Sequence, residues 1–336
     1  MVDALASIIN AYFPHEEPDI EKVPYGLTNT TWFVKGNGRT YVARHYNRYT
    51  KSLNSLDLEI KVTAFLEQSD LSFEIPSFLA TKQGDQYVTL SDGSLGAVIS
   101  FIAGKAPKLD TQADAYTLGS VVGELSAKLE KYKGPESLAF QGIPFTDLYR
   151  LHPLAGVEEI ASFWAQPPFP VTDVQKQTYD QIVASVTSQL DALLTLPRQL
   201  VHHDVLVYNL LAVDHRITGV LDFDFIGLDI GSLDFVISLN HVLQLSGGSL
   251  QMAEAFIKGH ANFRTFTREE LDHLRTLTRL YHIALLHIYI GQHRAGKDIA
   301  EAFSYIIDQF IERDRWLAEH GNELKRVLSN VSKRGQ

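Results

Sequence analysis

Over the first hundred residues, apolar and polar positions alternate in short runs rather than in long helical stripes. Thr30 to Lys35 and Arg39 to Tyr46 are β-prone and are separated by Gly36-Asn37-Gly38, the turn chemistry of a hairpin. Leu53 to Gln68 changes period, with Leu56, Ile60, Thr63, Ala64 and Phe65 on one side at helical spacing. Tyr87 to Leu90 and Leu95 to Ile102 return to strand, joined by Ser91-Asp92-Gly93-Ser94. Ahead of all of these, Val2 to Phe13 reads as a short amphipathic helix with Ala4, Leu5, Ile8, Ile9 and Tyr12 on one side. Past Gly104-Lys105-Ala106-Pro107 the character changes. Asp110 reads as the N-cap of a helix running to about Tyr132, and Val174 to Leu196 as another helix. Between them, Gly134 to Pro170 is aromatic, proline-containing and irregular, an insertion expected to pack on the second lobe. Short apolar runs follow at Gln199 to His202, Leu210 to Val213 and Ile217 to Leu221, and helix-compatible segments fill Ser232 to about Leu328. The pattern predicts an α+β chain in two lobes. Residues 1–102 form a small β-rich lobe and 103–336 a large, mainly helical one, with the hinge near residue 103.

Composition narrows what such a chain does. At 336 residues it is long enough for two lobes with separate cores. The net charge of -10 argues against nucleic acid as a partner, because phosphate backbones are held by basic surfaces. A single nucleotide is another matter, since a few local cations and a metal ion hold one within an acidic protein. There are no cysteines, so neither a disulfide framework nor a thiolate zinc site exists. No basic segment followed by an apolar run opens the chain, and no apolar stretch has the length of a membrane span. A cytoplasmic protein with no membrane partner is expected; oligomeric state is not legible.

The chemistry concentrates in Val201-His202-His203-Asp204-Val205-Leu206-Val207-Tyr208-Asn209-Leu210-Leu211, followed by Gly219-Val220-Leu221-Asp222-Phe223-Asp224. Polar residues are set here between apolar, strand-like flanks, a rigid place from which to present side chains. His202, Asp204 and Asn209 fit H-x-D-x-x-x-x-N, and Asp222 follows at the separation seen between kinase catalytic loops and their metal-binding aspartates. Phosphoryl transfer calls for these residue types, because catalysis there is mostly positioning and charge neutralisation. Asp204 would take or orient the proton of an acceptor hydroxyl. Asn209 and Asp222 would ligate Mg2+, which prefers hard oxygen ligands, and Asp224 could join them on the same face of an extended segment. His202 is expected to brace the loop.

These motifs resemble those of the aminoglycoside phosphotransferase and choline kinase superfamily, within it the homoserine kinase type II-like branch. The resemblance spans nearly the whole chain and implies a protein-kinase-like two-lobed fold with ATP in the cleft. It implies that Tyr25-Gly26-Leu27-Thr28-Asn29-Thr30-Thr31-Trp32 is the phosphate-side loop and strand, with Gly26 and Asn29 at the nucleotide. Arg44 in Tyr41-Val42-Ala43-Arg44 would be the nucleotide-contacting cation and Glu59 its acidic partner. Ser100, Phe101 and Ile102, in Gly96 to Gly104, would take the adenine. Asp234-Phe235-Val236 resembles the family's segment after the metal site. The chain departs from the family pattern in three places: His203 replaces the usual glycine, Val207 and Tyr208 replace proline and glycine, and Arg44 replaces lysine.

What the resemblance implies is transfer of the γ-phosphate of ATP, with Mg2+, to a hydroxyl of a small molecule: homoserine first, with amino alcohols and amino sugars open. For the acceptor side, His203, Asp224, Asp229, Asp234, His241, Tyr281, His282 and His287 are the lining candidates, although His282 and His287, on an apolar helix, read more readily as core histidines with satisfied hydrogen bonds. Phe163, Trp164 and Phe169 could form part of an aromatic cage, but the apolar underside of the insertion is the expected role for them. A non-catalytic or protein-directed binding module is the alternative. A metal-dependent hydrolase built on the His202, His203 and Asp204 cluster is weaker, since neighbouring histidines on an extended segment point to opposite faces.

Overall fold

The computed structural model describes residues 2–15, 17–24, 28–36, 38–134 and 142–332. The first lobe is built from α1 (Val2–Tyr12), β1 (Asp19–Lys22), β2 (Thr30–Gly36), β3 (Arg39–His45), α2 (Leu53–Glu67), β4 (Val88–Thr89) and β5 (Leu95–Ser100). The strands form one antiparallel sheet in the order β1-β2-β3-β5-β4. Side-chain alternation gives the sheet two apolar faces. Trp32, Val34, Ala43 and Val98 pack under Ile8, Ile9 and Tyr12 of α1. Tyr46, Leu95 and Ala97 pack on Leu56 and Ile60 of α2. Arg44 alternates onto the α2 side, which aims it at Glu59. The sequence reading did not contain β1, and for a physical reason: all four of its residues are exposed, so no apolar alternation marks it. It is held by pairing with β2 in the register Asp19↔Lys35 to Lys22↔Trp32.

The second lobe begins with α3 (Gln112–Leu129). Its N-cap is Thr111 rather than Asp110: the Thr111 hydroxyl accepts the Asp114 N–H, and the Asp114 carboxylate accepts the Thr111 N–H. The stretch expected to be irregular contains α4 (Val157–Ala165), whose buried Ile160, Phe163 and Trp164 recur at helical spacing. The expected single helix after it is broken at Ser188-Gln189 into α5 (Asp173–Thr187) and α6 (Leu190–Leu194). Two antiparallel ribbons follow, β6 (Arg198–Val201) with β9 (Gly227–Ile230), and β7 (Leu210–Val213) with β8 (Arg216–Val220). The lobe ends in α7 (Leu233–Leu245), α8 (Leu250–His260), α9 (Arg268–Asp272), α10 (Leu274–Arg294) and α11 (Ala300–Ser332). One large apolar core joins α3, α4, α5, α7, α8, α10 and α11. α3 and α8 cross at backbone distance, since a methyl on Gly119 would overlap the Phe256 carbonyl and one on Gly259 the Tyr116 carbonyl.

The lobes meet just after β5. Gly104 has φ 147° and lies so close to β7 that an added Cβ would be 3.0 Å from the Leu211 Cβ. Lys105 and Ala212 exchange backbone hydrogen bonds of 3.1 and 2.8 Å. The connection is thereby pinned to the ribbon that follows the His202 to Asn209 loop. No helix among the described residues is long and apolar enough to cross a membrane.

Candidate active site

β6 delivers the chain to His202, a 3-10 turn spans Val207–Asn209, and β7 carries it away. The loop between is fixed from below by α7. The Asp234 carboxylate accepts the backbone N–H groups of both His202 and His203, at 2.9 Å each. The Ser238 hydroxyl donates to the Val205 carbonyl at 2.7 Å. The His202 ring accepts the Asp204 N–H on Nδ1 at 3.2 Å and faces the Leu221 carbonyl with Nε2 at 3.0 Å. That pattern requires the neutral ring with its proton on Nε2, and burial pushes its pKa down to about 3. His202 therefore ties the loop between β6 and β7 to the segment after β8.

His203 has φ 70°, the left-handed region that favours glycine. This is the conformational reason a glycine suits the position. The ring offsets the strain with three contacts: Nδ1 lies 2.9 Å from the Phe225 carbonyl, Nε2 lies 3.0 Å from Asp229 Oδ2, and the ring stands 4.4 Å from that of Phe145. Both ring nitrogens face acceptors, so the imidazolium is the matching form. Burial pulls its pKa down, but the Asp229 carboxylate outweighs that and the net shift is upward. Asp229 also accepts the Phe145 N–H at 2.6 Å and the Ile230 N–H at 2.7 Å. Asp229 and Asp234 are 0% and 1% exposed, and every one of their carboxylate oxygens is engaged inside the protein. Neither has a surface to offer an acceptor, which corrects that part of the expectation.

Asp204, Asn209 and Asp222 come together as the spacing anticipated. Asn209 Nδ2 donates to the Asp204 carbonyl at 2.9 Å and to its Oδ2 at 2.7 Å. The Leu221 N–H donates to the Asn209 carbonyl at 2.8 Å, setting Asp222 beside the loop. Asp222 itself has φ 66°. Asp204 is half-buried, and its pKa is pushed up to about 8, by burial first and by the Asp222 charge second. Asp222 places one oxygen 3.1 Å from Arg44 Nη1. Its second oxygen and the amide oxygen of Asn209 have no protein partner among the described residues. Two such hard oxygens suit Mg2+, which keeps the rest of its shell for water and phosphate. No three His, Asp or Glu side chains converge on a metal site among the described residues, so remaining ligands would come from solvent or nucleotide.

Two residues escaped the sequence reading, Lys51 and Tyr289. Lys51, just before the N-cap of α2, is fully enclosed and forms ion pairs with Glu59 and with Asp224 Oδ1. Arg44, expected to be the partner of Glu59, stands at 3.7 Å from it and closer to Asp222. The signal that could have found Lys51 is Glu59, an acid on the core-facing side of α2 that needs a cation. Asn29 links the lobes from the other side, donating to Asp224 Oδ2 at 3.0 Å and accepting the Asn47 N–H at 3.0 Å. Gly26 lies outside the described residues. At the hinge, Ser100 exchanges hydrogen bonds with Ser77, Ile102 is buried, and Phe101 is 40% exposed with its ring edge-on to Phe33 at 5.7 Å.

Among the candidates for the acceptor side, Tyr281, and with it Tyr289, has its pKa raised by burial first and by the Asp204 charge second. His287 is buried between the Tyr179 hydroxyl at 2.7 Å and the Leu148 carbonyl at 2.9 Å, a core histidine with both nitrogens occupied. His241 and His282 are 4% and 6% exposed, against Tyr208 and Phe310 respectively. Phe163 and Phe169 pack on Phe303 of α11, and Trp164 stacks on Tyr179 at 4.1 Å. The three rings fill the core and form no open cage.

The sequence profile of the phosphotransferase enzyme family matches residues 19–277, a span that runs from β1 to the first turn of α10 and holds the His202 to Asp222 segment. The chain belongs to the phosphotransferase enzyme family. Members of this family are small-molecule kinases, and this chain is one. A homoserine kinase of Bradyrhizobium sp. (strain BTAi1) is 24% identical over 284 residues, covering 82% of this chain and 80% of its own length. Among solved structures, an amicoumacin kinase in complex with AMP-PNP and Ca2+ superposes with a TM-score of 0.67 at 15% identity, over 92% of each chain. A choline kinase from Cryptosporidium parvum gives 0.65 at 13% identity, over 96% of this chain and 97% of that one. At such identities the structural likeness shows the fold, which is the two-lobed kinase fold.

Proposed function

We propose that this phosphotransferase moves the γ-phosphate of ATP, with Mg2+, onto the hydroxyl of a small amino-bearing acceptor, homoserine being the first to test. The observation that carries the reading is the joined unit of Asp204 and Asn209, 2.7 Å apart, with Asp222 beside them and open oxygens on Asn209 and Asp222. The acceptor hydroxyl would lose its proton to Asp204 in its ionised form, which a cation on Asp222 would favour, as its oxygen bonds to the γ-phosphorus and the bond to the β-phosphate oxygen breaks, releasing ADP. A metal ion held by Asn209 and Asp222 would supply charge neutralisation at the phosphate oxygens. Arg44 would hold phosphate oxygens from the sheet side, Phe101 with Ser100 and Ile102 would flank the adenine, and Tyr281 and Tyr289 would border the acceptor.

Homoserine leads because the curated relatives are homoserine kinases, at 24% identity over four fifths of the chain for the Bradyrhizobium protein. An enzyme dependent on ATP would act in the cytoplasm. The test is ADP release over homoserine, amino alcohols, amino sugars and aminoglycosides, with Asp204→Asn as the blank. The expected result is acceptor-dependent, metal-dependent turnover that falls by about 10²–10⁴-fold in the variant. Tight nucleotide binding with no turnover on any acceptor, or phosphate appearing on a protein, would instead favour the binding-module alternative.

A further inference from the structure

Tyr281 is 7% exposed, and its hydroxyl has no hydrogen-bond partner among the described residues. Enclosed phenols ordinarily find one, because an unmet hydroxyl keeps the cost of leaving water. The ring is set by two neighbours. It faces Phe145 close to parallel, at 21° and 6.4 Å, and Phe145 in turn stands 4.4 Å from His203. One oxygen fixes both supports: Asp229 Oδ2 accepts the Phe145 N–H at 2.6 Å and faces His203 Nε2 at 3.0 Å. His203 immediately precedes Asp204, so the three rings lead from the catalytic loop out to α10. The Asp204 charge in turn acts on the Tyr281 phenol. Further along α10, Gln292 Nε2 donates to the Thr28 hydroxyl of the first lobe at 3.3 Å, so this helix borders the cleft from one lobe to the other.

Resting on the phosphotransferase reading above, we propose that the Tyr281 hydroxyl binds the reacting hydroxyl of the acceptor, and that Phe145 and His203 position it to do so. The acceptor oxygen accepts a hydrogen bond from the Tyr281 O–H while its own O–H points to Asp204. A hydroxyl oxygen has two lone pairs, so one is left for the γ-phosphorus. Tyr281 keeps its proton throughout, since burial and the Asp204 charge both favour the neutral phenol. Its contribution is orientation: a short acceptor held at its O–H and at one lone pair has little freedom left to turn away. Phe145 and His203 are positioning residues, acting through the Tyr281 ring. The departure from glycine at His203 then has a use, because a glycine offers no ring for Phe145 to rest on and the imidazole supplies one despite the left-handed backbone.

The test is the steady-state kinetics of ADP release by the full-length protein, with homoserine, ethanolamine or glucosamine as acceptor, whichever wild type turns over fastest. Tyr281→Phe keeps the ring and its stacking and removes only the hydroxyl. It is expected to lower kcat/KM for the acceptor about three- to tenfold, the worth of one neutral hydrogen bond, with KM for ATP within about twofold of wild type and no fall in melting temperature. Phe145→Leu keeps an apolar side chain but removes the flat support, and is expected to lower the acceptor kcat/KM by a similar factor. In the Tyr281→Phe background the same change is expected to cost less than about twofold, because no hydroxyl is left to place. An acceptor kcat/KM unchanged in Tyr281→Phe, or a KM for ATP that rises as much, would overturn the role of the hydroxyl. Full additivity of the two changes would overturn the positioning role of Phe145. Absence of turnover by wild type on every acceptor would overturn the phosphotransferase reading, and this inference with it. Tyr281→Phe decides the role of the hydroxyl alone, so the test survives a Phe145→Leu chain that does not fold.

Discussion

Replacing His203 by glycine restores the residue the family pattern favours and removes a left-handed β-carbon, yet the structure expects it to destabilise. Relief of the φ 70° strain is worth about 1–2 kcal/mol. Against that stand the charge-assisted bond to Asp229 at 3.0 Å, about 1.5–3 kcal/mol, and the bond to the Phe225 carbonyl at 2.9 Å, about 0.5–1.5 kcal/mol. The ring contact with Phe145 at 4.4 Å adds about 0.5–1.5 kcal/mol. Glycine also costs roughly 0.5–1 kcal/mol in chain entropy. The net is a loss of about 1–6 kcal/mol, before counting the buried Asp229 charge left without its cation. Urea unfolding at fixed pH reads this as a lower midpoint, and a thermal melt as a fall of roughly 5 °C or more. The pH dependence gives a second handle. The folded-state pKa of His203 is raised, so its contribution is fully present below the ordinary histidine value of 6.5 and is lost as pH rises through the folded pKa. Wild type should therefore lose part of its stability on the alkaline side, and His203→Gly should lack that loss. His203→Asn, which tolerates the left-handed backbone but carries no charge, should fall between the two. A His203→Gly chain as stable as wild type at neutral pH would refute the reasoning, because strain relief would then outweigh every contact of the ring.

Two further outcomes are expected. Asp234→Ala strips the buried N–H groups of His202 and His203 of their shared acceptor, at about 1–3 kcal/mol each; a urea midpoint within error of wild type would count against that role. His152, His241, His260, His282 and His287 are held neutral by burial, with pKa values lowered to about 3 or about 4. The unfolded chain takes up these protons below its ordinary value of 6.5, so stability should fall with acidity by about 1.4 kcal/mol per pH unit for each ring, and equal urea midpoints at about pH 7 and about pH 5 would contradict this.

What could be read from the chain follows from which signals are local. The hairpin of β2 and β3 was legible because Gly36-Asn37-Gly38 sits between two β-prone runs, and α2 because its apolar residues recur at helical spacing. β1 was not, since an exposed edge strand is specified by its neighbour's free hydrogen-bonding groups and not by its own composition. Thr111 and Asp110 are both acceptable caps in sequence, and only the reciprocal bond with Asp114 chooses between them.

The same division runs through the site. The residue types and spacing of Asp204, Asn209 and Asp222 already named phosphoryl transfer, because a catalytic loop and its return strand are close in sequence. Which aspartate faces solvent was decided only by the packing of one lobe on the other. Lys51, Asn29 and Arg44 reach across from the first lobe, meet both oxygens of Asp224 and one of Asp222, and leave the second Asp222 oxygen without a protein partner among the described residues. Burial of charge is a property of the assembled lobes, and a lysine in a loop before a helix carries no local mark of being enclosed. The sequence by itself determined the class of reaction; the tertiary structure decided which of its charges remain free to take part.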